Sequence, residues 1–139
     1  MFIIEFRNTV LIFFLIISNL SFACECKTFP YSKEKNQEEF KLEDSFESST
    51  IIFYGKFIGE GKFEVMKLFR GKELLPNQSF IEEKEELYNC DYSFNKNYDY
   101  LVFGNLDEHQ KLWTSVCVSN RLIKNKSELK FVKDFLKKN

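Results

Sequence analysis

Apolar residues are spaced along this chain in three ways. The first is an unbroken run, Val10 to Ile17, closed by Ser18 and Asn19, which is shorter than the ~20 residues a bilayer-spanning helix needs. Ser21-Phe22-Ala23 then puts small residues where a signal peptidase reads, so residues 1–23 are expected to be a signal peptide cut after Ala23. The second spacing is alternation, the mark of a half-buried strand. In Thr50 to Gly59, Ile51, Phe53 and Phe57 fall on one face, and Gly55 interrupts it at a bulge or a close backbone approach. After a Gly59-Glu60-Gly61 turn, Phe63, Val65, Lys67 and Phe69 alternate with Lys62, Glu64, Met66 and Leu68 until Arg70-Gly71-Lys72 ends the strand. Pro76-Asn77 turns the chain into a short strand at Gln78 to Glu82. Tyr98 to Phe103 and Leu112 to Val118 make two more strands, joined through Gly104-Asn105 and Asp107. The third spacing is helical. Phe40, Glu43 and Phe46 mark a helix from Asn36 to Glu47, stopped by Ser48-Ser49. Leu129, Val132 and Leu136, flanked by Phe131 and Phe135, mark a final helix capped by Ser127. Between the signal and the first helix, Lys27 to Lys35 has no period and runs extended. Five short strands and two helices in residues 24–139 predict one mainly β domain, a small five-stranded barrel of the OB type.

Charge and chemistry narrow the function more by exclusion than by signal. The formal net charge is −1, which gives no long-range pull toward nucleic acid or acidic lipid, and no basic, aromatic-studded stretch appears. Glu82, Glu83, Glu85 and Glu86 are split by Lys84 and read as a solvated loop rather than a cation site. His109 is the sole histidine and lies in a polar turn, so no nucleophile and base pair can be assembled and neither an enzyme nor a cofactor is expected.

The four cysteines, Cys24, Cys26, Cys90 and Cys117, carry the strongest signal. Export and an even number favour disulfides over a four-thiolate zinc site, which would want C-x₂-C spacing. Cys24 and Cys26 are too close to bond each other without strain, so each needs a distant partner, and the mature N-terminus would be pinned at two points. A rival use of Cys24 is lipidation, because Leu20-Ser21-Phe22-Ala23-Cys24 has the small residue and cysteine of a bacterial lipobox. That would make the protein an anchored lipoprotein and consume one sulfur.

The order of these features resembles a known family. Cys24-Glu25-Cys26 directly follows the signal, and a strand contains Ile52-Phe53-Tyr54-Gly55-Lys56-Phe57. Another strand ends Phe69-Arg70-Gly71; Cys90 is followed by Phe94 and Tyr100-Leu101-Val102-Phe103; the last cysteine closes Thr114-Ser115-Val116-Cys117. This resembles the tissue inhibitors of metalloproteinases and the wider netrin-like domains, above all their short bacterial branch. Asn97 stands where that branch has Gly, a substitution the left-handed region tolerates, and Asp91 replaces Gly after the third cysteine. The resemblance implies an OB-fold and the pairs Cys24–Cys90 and Cys26–Cys117. It also implies a secreted or envelope protein that inhibits a zinc protease, with the α-amine and carbonyl of Cys24 on the protease metal and Glu25 and Cys26 beside it. No metal belongs to the isolated chain. Glu25 stands where the family has a small hydroxyl residue, which keeps a second expectation open: a protein-binding module of the envelope or exterior that never engages zinc.

Overall fold

The computed structural model describes residues 24–77, 79–85 and 90–138. The expected signal peptide, Gln78 at the start of the third strand, Glu86 of the acidic run and the side chain of Val132 lie outside the described residues. The elements run α1 (Gln37–Ser48), β1 (Ile51–Gly59), β2 (Lys62–Arg70), β3 (Phe80–Glu82), β4 (Asp99–Leu106), β5 (Leu112–Trp113), β6 (Arg121–Leu122) and α2 (Lys126–Lys138). All strand pairs are antiparallel, in the order β3-β2-β1-β4-β5, with β6 also on β4. The sheet curls into a half-barrel. Its two ends meet where Glu83 forms a parallel bridge to Leu112 and the Lys84 N–H donates to the Leu112 carbonyl at 2.9 Å.

Two cores follow from the alternation. One face of β1 and β4, carrying Ile51, Phe53, Phe57, Tyr100 and Val102, fills the inside of the curl with Phe63, Ile81 and Leu112. The other face puts Ile52, Leu101 and Phe103 under Leu42 of α1 and the half-buried Phe135 and Leu136 of α2. β1 and β4 are therefore apolar on both sides because both sides are covered. A fully buried aromatic or aliphatic side chain contributes about 1.5–3 kcal/mol, so the paired cores supply most of the drive to fold.

Several expectations need correction. The buried face of α1 centres on Leu42 and Ser45 rather than on the row of Phe40, Glu43 and Phe46, of which Phe46 packs half-buried against the same core, because Leu42 is the residue that docks on the sheet. β2 does not keep one alternation: its register with β1 slips between Tyr54–Lys67 and Gly55–Val65, Met66 is the extra residue, and Val65 and Leu68 reach the same core. Gly55 lies at that slip, and a Cβ there would stand 2.7 Å from the Glu64 carbonyl. Of the turn expected at Gly104-Asn105 and Asp107, only Asp107 takes part, in a turn over Asp107–Lys111, since β4 runs on to Leu106. The strand expected over Leu112 to Val118 stops at Trp113, and β6 was not anticipated. Asn125, rather than Ser127, caps α2, its side-chain oxygen accepting from the N–H groups of Ser127 and Glu128 at 3.1 and 3.0 Å. Asn97 does take the left-handed conformation, φ +70°.

Candidate functional site

Residues 24–26 are held where two loops run side by side. Asp91 pairs with Ser115 in an isolated bridge, and the Val116 N–H donates to the Cys90 carbonyl at 2.9 Å. Cys90 and Cys117 thus stand on adjacent segments. Cys24 is bonded to Cys90 and Cys26 to Cys117, with Cα separations of 5.4 and 5.2 Å, inside the usual range for unforced bridges. Cys24 is half-buried, whereas Glu25 and Cys26 are exposed. The chain beyond them lies along α1: Lys27 pairs with Asp44, and the Phe29 ring stacks on Phe40 at 5.9 Å. The Gln37 amide donates to the Phe29 carbonyl at 3.2 Å. A segment fixed at this many points presents its backbone with little ordering left to lose on binding.

The loop bearing Cys117 owes its position to polar side chains. β5 pairs with β4 only at residues 105 and 106 and β6 only at residues 100 and 101, leaving a gap on that edge of β4. Side chains fill it. The Phe103 N–H donates to the Asn120 side-chain oxygen at 2.9 Å, and the Thr114 hydroxyl donates to the Phe103 carbonyl at 2.6 Å. The Asn120 NH₂ closes the set on the Thr114 oxygen at 2.7 Å. From α1, the buried Ser45 hydroxyl oxygen accepts from the Ser119 N–H at 2.9 Å, and Lys41 donates to the Val116 carbonyl at 3.3 Å. None of Ser45, Thr114 or Asn120 was singled out from the sequence; a lone Ser, Thr or Asn looks the same in a solvated turn.

Next to this loop, the parallel bridge draws Glu83 out of the acidic run. It faces a cavity of about 10 Å³ lined also by Lys84, Asp91, Leu112, Trp113 and Thr114. Burial, and then the charge of Asp91, push the Glu83 carboxyl up to about 7. This corrects the expectation of a wholly solvated run: Glu82 and Glu85 are exposed, but Glu83 is not. Because the folded protein holds the Glu83 proton to higher pH than the unfolded chain, Glu83 favours folding at low pH, and stability falls as pH rises from about 4.5 to about 7. Glu83→Gln is expected to remove that slope and to raise stability above pH 7 by about 1–2 kcal/mol, allowing for partial contact with water. Urea midpoints at pH 4.5 and 8 check this; equal effects of the substitution at both pH values would refute it.

His109 lies on the exposed β4–β5 turn, its side chain 77% accessible. Among the described residues, no three His, Cys, Asp or Glu side chains converge on a metal position, and no helix is long and apolar enough to cross a membrane. Two disulfides in a domain of this size belong to the chemistry of an oxidising compartment. Comparison with protein-family models and with characterised proteins finds no match to this chain.

Proposed function

We propose that this chain is an exported, non-catalytic protein of OB fold that inhibits a zinc metalloproteinase through Cys24, Glu25 and Cys26. The observation carrying the reading is the double clamp, which ties residues 24 and 26 to neighbouring segments and leaves Glu25 exposed between them. The OB assignment is supported by the strand order β3-β2-β1-β4-β5 and by the isolated parallel bridge from Glu83, just after β3, to Leu112 of β5. Export with cleavage after Ala23 would leave Cys24 with a free α-amine, whose pKa of about 7.7–8.0 makes it partly neutral at physiological pH and able to ligate Zn²⁺. The non-catalytic part is supported by the use of all four cysteines in disulfides and by the exposed setting of the one histidine. The second reading, a protein-binding module that never engages zinc, is favoured by Glu25 itself. Its carboxylate would be desolvated beside the general-base Glu of a zinc protease.

An inhibition panel of zinc proteases tests the proposal. Weak inhibition by the wild type is expected, with Glu25→Thr at least tenfold stronger. Acetylating the Cys24 amine, or adding a residue before it, should abolish inhibition in both, because an amide nitrogen has no lone pair to give the metal. A folded Glu25→Thr variant that inhibits none of the panel would leave the binding module as the reading to keep.

A further inference from the structure

α2 seats its apolar residues against the body of the protein and turns its lysines away from it. Leu129, Phe135 and Leu136 are half-buried, the last two against the core formed by Leu42, Ile52, Leu101 and Phe103. Lys126, Lys130, Lys133 and Lys137 follow one another at steps of four, three and four residues. In an α-helix such steps keep all four within about 60° of one another around the axis, over a length of about 16 Å. Lys126, Lys130 and Lys137 are exposed, and Lys133 is half-buried. Among the described residues, none of the four meets a carboxylate in an ion pair. The neighbouring α1 is the opposite case, because its acids are engaged: Glu38 pairs with Arg121, Glu43 with Lys35 and Asp44 with Lys27, and Glu39 accepts from the Asn36 N–H in the helix cap at 3.1 Å. Within α2, Glu128 accepts from the Lys124 N–H at 2.7 Å at the start of the helix, and the exposed Asp134 is the acid that stands beside the lysine row.

The formal charge of −1 gives the chain as a whole no pull toward acidic lipid, but that figure averages over a fold that gathers one sign along one ridge. The shape of the ridge limits its partner. It is the outer side of a helix, so it can meet a flat surface along its whole length, whereas a small anion or a phosphopeptide calls for a concave site. A protein partner calls for an apolar patch at the centre of the contact, and single-stranded nucleic acid for rings to stack on; the row is made of lysines alone. The residue type limits the chemistry as well. Lys is a point charge on a flexible stem, without the planar fork by which Arg grips one phosphate or carboxylate through two hydrogen bonds. A row of such charges suits a layer of anionic headgroups that can move sideways to meet each ammonium.

We infer that the outer face of α2 docks on an anionic lipid surface, with Lys126, Lys130, Lys133 and Lys137 on the headgroup phosphates. Each lysine beside such a surface raises partitioning roughly fivefold. The test sediments the disulfide-intact protein with vesicles of phosphatidylcholine, alone or with about 30% phosphatidylglycerol, and its result depends neither on export nor on protease inhibition. Binding to the anionic vesicles should be at least tenfold stronger and should be lost in about 0.5 M NaCl, where charges are screened within a few ångströms. Lys130→Glu combined with Lys133→Glu should reduce it to the level of phosphatidylcholine, Asp134→Asn should strengthen it at least twofold, and Glu25→Thr should leave it unchanged. A gadolinium-bearing lipid in the anionic vesicles should broaden the amides of Lys126 to Lys137 first in the ¹⁵N-labelled wild type, a readout that needs no variant to fold. Equal binding to the two kinds of vesicle, broadening centred elsewhere, or undiminished binding of the double variant would each overturn the assignment. So would a sulfated oligosaccharide or a DNA duplex held on these lysines more tightly than the anionic vesicles are.

Discussion

Cys117→Ser is expected to lower the stability of the oxidised protein by about 3–4 kcal/mol in the chain-entropy description of a disulfide. The separations across the two bonds, 66 and 91 residues, overstate what either contributes alone. With Cys24–Cys90 in place, the second bond closes only the path from Cys90 to Cys117 plus the two-residue step from Cys24 to Cys26, roughly 30 residues, and that loop sets the figure. The same argument makes Cys24→Ser nearly equivalent. Removing both bonds is a different matter: the loss, about 8 kcal/mol, approaches the whole stability of an ordinary small domain. Single variants should therefore remain folded with Tm lowered by about 15 °C or more, whereas the double variant should be unfolded at 37 °C. Thermal melts under non-reducing conditions measure the first effect, and a thiol reagent should label Cys26 in Cys117→Ser. An unchanged Tm with an unreactive Cys26 would contradict the pairing.

What could be read in advance divides according to how local its cause is. Alternation over Ile51 to Phe57 needs only the chain itself, and so do the Gly59-Glu60-Gly61 turn and the left-handed Asn97; all three are present in the structure. The bulge opposite Gly55 was signalled by that glycine in β1, but its place at Met66 was not, because the sequence of β2 carries no mark of it. β6 is two residues long and pairs through its backbone at two positions, too short for any period to show. The Cys-x-Cys clamp was legible because four cysteines allow few arrangements. Glu83 was misjudged for a physical reason: in an acidic run each carboxylate looks alike, and only the meeting of β3 with β5 decides which one leaves water.

Asn120→Ala should be the costliest single substitution outside the cysteines and the apolar core, although Asn120 is only a loop residue between Ser119 and β6. Its amide substitutes for a missing strand: at Phe103, which is 0% exposed, neither β5 nor β6 reaches the edge of β4. Truncation to Ala leaves the Phe103 N–H without an acceptor and removes the donor facing the Thr114 hydroxyl. Each orphaned buried group costs about 1–3 kcal/mol, so the loss should be about 2–4 kcal/mol after local relaxation. Asn120→Asp separates the two halves of the role. It keeps an acceptor for Phe103 but sets a carboxylate against the Ser115 carbonyl, 3.4 Å from the present NH₂ group, and against the Thr114 oxygen. It should therefore recover little of the loss at neutral pH and more of it in acid, where a protonated carboxyl can donate again. Hydrogen exchange at the Phe103 amide reads the effect directly: in Asn120→Ala its protection should collapse while that of Val102 falls only with global stability. A loss below 1 kcal/mol with Phe103 protection intact would mean that water fills the gap in β4 as well as Asn120 does, and the loop bearing Cys117 would then rest on its disulfide, on Ser45, Lys41 and Thr114, and on its pairing with the Cys90 segment.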